Sequence, residues 1–365
     1  MRIGVHPDRD RAFSDKWREF LLARGAEVVV LDLLASDALE QAKLCDGIMW
    51  RWFHIQDDKQ SARIILHTIE NYLGIPVFPS VATSWHFDDK VAQYYLLAAL
   101  GAPQPEASIF WDEERALAWA ASARYPVVFK LTAGAGSSNV LKLDSPAEAQ
   151  KWISKMFHRG IFPMMMNEYR PPVLPRTLRE AKERVARVAD AAKYIVTGEM
   201  PGLPEHWWKP EKGYAFFQEF LPGNEFDTRV TVIGERAFAF RRMNRPGDFR
   251  ASGSGNIDYD PAKIDRECLK LAFEVSEKSD FQTMAYDFLY KNGKPVICEI
   301  SYTFVDSAVY NCPGQWDRQL SWQEGRRWPE DVQAELFLNE VAKRLARRDA
   351  RHGLSTDLQG NGKQR

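Results

Sequence analysis

The chain has 365 residues, 49 of them Lys or Arg and 50 Asp or Glu, for a net charge of −1. That length exceeds one simple core and suits two or three domains, and the balanced charge argues against a nucleic-acid partner. Four scattered cysteines (Cys45, Cys268, Cys298, Cys312) lack the Cys-x-x-Cys spacing of a zinc site and do not suggest a disulfide scaffold. No apolar run approaches a membrane span, and the opening Met1-Arg2-Ile3-Gly4-Val5-His6 enters a strand and not a signal peptide. A reduced, cytoplasmic enzyme is expected.

Residues 1–80 alternate strand and helix patterns. The spacing predicts a strand Arg2–His6, a helix Arg11–Arg24 closed by Gly25, a strand Glu27–Leu31, a short helix Ser36–Lys43 and a strand Gly47–Trp52. An amphipathic helix Asp57–Leu73, ended by Gly74, and a strand Ile75–Phe78 follow. This is a small parallel α/β unit, assigned to residues 1–82. No Gly-x-Gly-x-x-Gly follows the first strand, so a dinucleotide fingerprint is absent. From Thr83 a helix runs to Leu100 and stops at Gly101-Ala102-Pro103. A new unit starts at Pro105 with strand, helix and strand (Pro126–Leu131), then a Gly/Ser loop, a strand Asn139–Leu143 and a helix opened by the capping box Ser145-x-x-Glu148. Residues 158–212, Pro-rich at both ends, with Met164-Met165-Met166 and a charged helix Arg176–Lys193, read as an insertion or lid. Residues 214–300 are mostly strands broken by one helix, Pro261–Lys278. A Trp-rich stretch follows, then a last helix from Pro329 to about Arg347 and a polar end, Gly353–Arg365, expected to be disordered. Most of the tryptophans are expected to fill core.

Two acids stand inside short apolar runs: Asp287 in Met284-Ala285-Tyr286-Asp287-Phe288-Leu289-Tyr290, and Glu299 in Val296-Ile297-Cys298-Glu299-Ile300-Ser301. A lone carboxylate in an apolar strand is costly unless something pairs with it. Two on adjacent strands make a site for a hard divalent cation. Side chains alternate faces along a strand. A two-residue Asn292-Gly293 turn would pair Asp287 with Cys298 and send Glu299 to the opposite face. A three-residue loop, Lys291-Asn292-Gly293, pairs Asp287 with Ile297 and leaves Asp287, Glu299 and Ser301 on one face. A metal site requires the odd-length loop; a hairpin with both acids in water is the alternative.

Three further stretches carry chemistry. Lys130 runs directly into Thr132-Ala133-Gly134-Ala135-Gly136-Ser137-Ser138, small residues whose backbone N–H groups can approach an anion while the lysine supplies a point charge. Gln218-Glu219-Phe220-Leu221-Pro222-Gly223-Asn224-Glu225-Phe226-Asp227-Thr228-Arg229 is a strand, a Pro-Gly kink and a second strand. The kink can offer backbone groups to an adenine edge, and Glu225 can meet ribose hydroxyls. A type II′ turn at Gly234-Glu235 pairs Asp227 with Arg242 and Arg229 with Phe240, and points Arg241 away. Asp227–Arg242 is then an ion pair, and Arg229, with no acid left over, is the anion-binding candidate. The glycine-punctuated loop Asn244–Asn256 can close over a substrate carboxylate through Arg250.

Taken in order, these segments resemble the ATP-grasp superfamily across roughly residues 1–310. Phe87-Asp88-Asp89-Lys90 before Tyr94-Tyr95-Leu96-Leu97 is similar to the linker helix with the first phosphate-binding lysine, and Pro126-Val127-Val128-Phe129-Lys130 to the strand with the second. Gly223-Asn224-Glu225-Phe226 resembles D-alanine–D-alanine ligases. Asp227-Thr228-Arg229-Val230, Arg241-Arg242 and Gly247-Asp248-Phe249-Arg250 resemble the branch of glutamate ligases that extend protein tails. The resemblance implies a Rossmann-like parallel α/β domain (1–82), a two-subdomain ATP-grasp fold (83–310), a C-terminal extension (311–352) and a tail (353–365). It implies an ATP-dependent carboxylate–amine ligase working through an acylphosphate. ATP would be bound by Lys90, Lys130, Gly134, Gly136, Ser137, Gln218, Glu219, Leu221 and Glu225. Asp287, Glu299 and Ser301 would bind Mg2+ or Mn2+, and Arg229, Arg242 and Arg250 would act in catalysis. Ser301 stands where the family usually has an asparagine ligand. Small-molecule acid and amine partners are implied, an amino acid and a sugar or glycan precursor among the candidates, with a homodimer open. A phosphotransferase or a nucleotide-binding regulator are the rivals.

Overall fold

The structure, a computed structural model, describes residues 1–134, 139–161, 210–251, 253 and 255–360, with 349–360 by backbone alone. Most of the expected insertion, including Met164-Met165-Met166 and the helix Arg176–Lys193, lies outside the described residues, as do Gly136 and Ser137.

Arg2–Val5 (β1), Glu27–Val30 (β2), Gly47–Met49 (β3) and Val77–Phe78 (β4) form a parallel sheet in the order β2-β1-β3-β4. Ala12–Ala23 (α1), Ala38–Lys43 (α2) and Gln56–Thr68 (α3) connect the strands, as parallel neighbours require crossovers. These are the elements expected, within a few residues. The single helix expected from Thr83 to Leu100 is instead two, Val81–Ser84 (α4) and Lys90–Ala99 (α5). The cause is local: Asp88 takes φ 52°, a left-handed conformation that Asp tolerates. Asp89 then caps α5 by accepting the Ala92 N–H at 3.0 Å. The break makes Lys90 the first residue of α5.

A second sheet is antiparallel: Ala107–Phe110 (β5), Val127–Lys130 (β6), Val140–Leu143 (β7) and Ala215–Glu219 (β8), in the order β5-β8-β6-β7. Glu113–Ser122 (α6) and Pro146–His158 (α7) share its core through Ala116, Ala120, Ala149 and Trp152. Ser145 caps α7 through the Glu148 N–H, as expected, while the Glu148 carboxylate reaches back to the Asp144 N–H at 2.7 Å.

The third sheet comprises Phe226–Ile233 (β9), Arg236–Met243 (β10), Ile257–Asp258 (β11), Thr283–Lys291 (β12), Lys294–Ser301 (β13), Gly314–Trp316 (β14) and Trp322–Glu324 (β15). Its path is β13-β12-β9-β10-β14-β15, with β11 beside β10. The helix expected from Pro261 begins later, at Arg266 (α8, Arg266–Lys278), because Asp265 caps it. Asp306–Tyr310 (α9) and Pro329–Gly360 (α10) complete the described elements. Of the tail expected to be disordered, residues 353–360 instead continue α10, and 361–365 lie outside the described residues; one interior glycine costs about 1 kcal/mol and does not end a long helix.

The C-terminal stretch is part of the frame. Strand β14 widens the large sheet, and α10 packs on α1. Trp17 Nε1 donates to Gln333 at 3.2 Å and Gln282 Nε2 to Glu340 at 2.7 Å. One core joins Trp50, Trp52 and Leu66 to Val230, Met284, Tyr286 and Phe273, and another joins Phe13, Trp17 and Phe78 to Phe238, Phe240 and Phe337. Trp17, Trp50 and Trp52 are core residues, as expected. This packing brings the carboxyl ends of β1 and β3 against the large sheet. No helix among the described residues is long and apolar enough to cross a membrane.

Candidate active site

Lys291 pairs with Lys294, so the β12–β13 turn is the two-residue Asn292-Gly293, with φ of 53° and 75°, the signature of a type I′ turn. The odd-length loop does not form. Asp287 nevertheless pairs with Glu299, because the register shifts at Asp287/Phe288 and leaves Cys298 as an extra residue, a β-bulge. Asp287, Glu299 and Ser301 therefore share a face by a route that strict alternation cannot reveal.

Asp287 is buried, and both its oxygens are engaged. Arg229, its neighbour on β9, donates from Nε and Nη2 at 2.7 Å each, and Arg242 Nη2 lies 2.7 Å away. Arg242 also grips Asp227 at 2.7 and 2.6 Å, the ion pair that the hairpin register predicts. The expectation that Arg229 lacks an acid is corrected: its partner comes from β12, the strand on the other side of β9. Burial opposes ionisation of Asp287, but Arg229 and Arg242 outweigh it and hold the carboxyl well below the usual range. At Asp227 burial prevails over Arg242, and its pKa is raised. Arg241 faces away, as expected, and donates to Asp258 at 2.6 Å.

The two lysines approach from the smaller sheet and from α5. Lys130 Nζ donates to Gln218 Oε1 at 2.6 Å and lies 3.5 Å from Cys298 Sγ. Lys90 Nζ donates to the Gly134 carbonyl at 2.8 Å and sits 3.3 Å from the Glu299 carboxylate. Burial would lower the Lys90 pKa, but Glu299 and Asp88 outweigh it and raise it, keeping the ammonium charged. Two cavities meet here. A narrow pocket between the antiparallel sheets is lined by Lys130, Gln218, Glu219, Leu221, Phe249 and Arg250 among others. A larger cavity of about 560 Å³ runs to the parallel domain, past Arg229, Arg242, Ser301, Arg51 and His54. Asp287 and Glu299 line both.

Other expected residues fall elsewhere. Gly134 lines the larger cavity and gives its N–H to Asp88 at 2.7 Å. The N–H groups of Thr132 and Ala133 go to the Glu211 carboxylate at 2.9 Å each. The described base of the glycine loop is thus satisfied internally and offers no amide to an anion. Glu225 is exposed and outside the narrow pocket's lining; Asn224 lines it instead, its side chain bridging the Tyr290 N–H and C=O at 2.8 and 3.0 Å. Arg250, expected over a substrate carboxylate, lines the narrow pocket. It grips Asp248 at 2.9 and 2.8 Å and donates to the Val140 carbonyl at 3.3 Å.

Sequence reasoning missed the parallel domain's contribution. Arg51 donates from Nε to Thr303 Oγ1 at 2.8 Å and from Nη1 to Asp8 and Asp10, both at 3.1 Å, and it lies over the Phe13 and Phe53 rings. It follows β3, and Asp10 follows β1. The carboxyl ends of parallel strands are where such sheets bind ligands, and that signal was available.

Two carboxylates and a hydroxyl on one face suit a hard cation. The Ser301 hydroxyl donates to the Thr303 carbonyl at 2.7 Å and keeps lone pairs to accept with. Asp287 fits as a ligand only in competition with its two arginines. No cluster of three or more His, Cys, Asp or Glu suited to a metal occurs among the described residues.

Residues 186–305 match the RimK-like ATP-grasp domain family. No curated protein matches the chain. Among solved structures, a RimK-domain ATP-grasp protein from Sphaerobacter thermophilus is similar at 18% identity, with 92% of this chain and 98% of that one covered and a TM-score of 0.51. The ATP-grasp ligase PsnB, complexed with a minimal precursor, is similar at 16% identity over 92% and 98%, with a TM-score of 0.52. N5-carboxyaminoimidazole synthetase from Staphylococcus aureus, complexed with ADP, is similar at 12% over 87% and 74%, with a TM-score of 0.53. At these identities the likeness is one of fold. Residues 186–305 thus carry a RimK-like ATP-grasp domain match, and the chain, with its parallel N-terminal sheet and two antiparallel sheets around the lysines, shares the fold of these ATP-grasp structures.

Proposed function

We propose that the protein is a magnesium-dependent carboxylate–amine ligase that activates its acid as an acylphosphate. One observation carries the reading: Asp287 and Glu299 form the wall shared by the narrow pocket, which holds Lys130, and the larger cavity, which holds Arg229 and Arg242. A nucleotide would occupy the narrow pocket, with its base against Gln218–Leu221 and its phosphates near Lys130 and Lys90. Arg250 serves that side, since it lines the same pocket. Asp287, Glu299 and Ser301 would hold magnesium, which supplies charge compensation for the transferred phosphoryl group.

The acid and the amine would occupy the larger cavity. A substrate carboxylate oxygen attacks the terminal phosphorus, and ADP leaves. The amine nitrogen then attacks the acyl carbon, phosphate leaves with the bonding pair, and the nitrogen gives up a proton. Arg229 and Arg242 would offset the oxyanion formed at that carbon. Alignment in the cavity supplies much of the rate, and no covalent enzyme intermediate is needed.

A screen of ADP release over amino acids and sugar acids, with and without amine, tests this. The expected result is release that needs both an acid and magnesium, and hydroxamate formation when hydroxylamine replaces the amine. ADP release without hydroxamate from any acid would favour a phosphotransferase. A regulator that binds ATP without turnover is a second reading. It is favoured by the engagement of both Asp287 oxygens by arginine, and it predicts nucleotide binding with no ADP from any mixture.

A further inference from the structure

The Asp287 carboxylate cannot serve a cation and two guanidinium groups at once, and the two arginines are not equivalent. Arg242 holds a second carboxylate, Asp227, at 2.7 and 2.6 Å. Arg229 has Asp287 as its single acid partner among the described residues, with 2.7 Å contacts to both oxygens. If Asp287 turns to a cation, Arg242 stays hydrogen-bonded to Asp227, whereas Arg229 loses its hydrogen-bonded acid and keeps Asp227 only as a charge at longer range. Its side chain is 17% exposed and lines the larger cavity. Freed there, a planar fork of donors is suited to a carboxylate or phosphoryl oxygen.

We propose that Arg229 is a metal-gated anion ligand: it neutralises Asp287 while no divalent cation is bound, and it turns to an anion in the larger cavity when Asp287 takes the cation. The inference rests on the assignment of Asp287 and Glu299 as metal ligands. Arg229 then positions the substrate acid only in the metal-loaded state, so the acid meets an arginine only where the phosphate chain is already compensated. Linkage makes the coupling reciprocal: an anion that holds Arg229 away from Asp287 raises cation affinity by the same factor that the cation raises anion affinity.

Titration of the full-length protein with Mn2+ alone, read by the electron paramagnetic resonance of free Mn2+, tests this without turnover. The expected order of affinity is Arg229→Gln tightest, at least tenfold above wild type, with Arg229→Lys between them because it keeps the charge and loses the fork. Asp287→Asn should weaken binding, and Arg241→Gln, on the opposite face with Asp258, should match wild type. Equal affinity in wild type, Arg229→Lys and Arg229→Gln would overturn the exchange, and so would weaker binding in the two Arg229 variants. Arg229→Lys carries the comparison if Arg229→Gln does not fold. Magnesium–ADP binding, measured by calorimetry on the same samples, separates the two levels of the argument. A protein that binds magnesium–ADP while Mn2+ affinity ignores Arg229 refutes only the exchange. One that binds neither refutes the nucleotide reading as well.

Discussion

Asp287 is ionised against the cost of burial because two guanidinium groups surround it; His86 is buried with no such help. Among the described residues neither of its ring nitrogens has a hydrogen-bond partner, and the ring packs against Trp85 and Phe281. Burial, with Arg63 adding, pushes its pKa down from 6.5 to about 3. Between those values the unfolded chain binds the proton that the folded protein refuses. Stability from this residue is therefore fully present above pH 6.5 and falls as pH drops toward 3, by roughly 1.4 kcal/mol per pH unit. His86→Phe, which keeps the ring contacts, should be more stable than wild type by about 1–3 kcal/mol at pH 8, where only the unsatisfied nitrogens matter. The gap should widen at pH 5. Urea unfolding at both values measures it; parallel stability curves for the two proteins would show that His86 is not the titrating group.

Among the elements, what the sequence disclosed was local. Gly234-Glu235 announces its turn by residue type, and its register puts Asp227 opposite Arg242, as observed; at Asn292-Gly293 two turn lengths stood open, and the one the metal site required is not the one that forms. The Cys298 bulge has no such marker, because Val296-Ile297-Cys298-Glu299 reads the same with or without it. The partner of Arg229 was hidden for a different reason: β12 joins β9 across a connection of about fifty residues, and hairpin arithmetic cannot see it. The start of α5 lay between these cases. The expectation of one helix from Thr83 to Leu100 passed over Asp88-Asp89, the acidic pair at which the structure breaks it. Because Asp89 caps the helix whose first residue is Lys90, Asp89→Ala should cost about 1 kcal/mol of stability. It should also raise the KM for ATP more than the KM for the acid. Asp89→Ser, which restores a capping oxygen, should recover both. A loss of stability with an unchanged KM for ATP would disconnect the cap from the phosphate-binding role proposed for Lys90.

At the scale of the molecule, the site is assembled by three sheets that the chain forms in separate stretches. The small antiparallel sheet brings Lys130 and Gln218, the large one brings Arg229, Arg242, Asp287 and Glu299, and the parallel domain closes the larger cavity with Asp10, Arg51 and His54. Helix α10 fastens the first domain to the large sheet through Gln333 and Glu340, so the wall between the cavities is framed from both ends of the chain. The lysines and acids singled out by the order of motifs line adjoining pockets in the fold. For the Arg51 cluster the available signal was its place just after a parallel strand; its contact with Thr303 depends on how a separate domain docks. In the proposed function the acid pair divides nucleotide from substrate. A crystal structure with magnesium and a non-hydrolysable ATP analogue examines that directly. It should show the terminal phosphate between Lys90 and Lys130, magnesium on Asp287 and Glu299, and Arg229 swung off Asp287 toward the larger cavity. A nucleotide bound away from that wall, or metal absent from both acids, would contradict it.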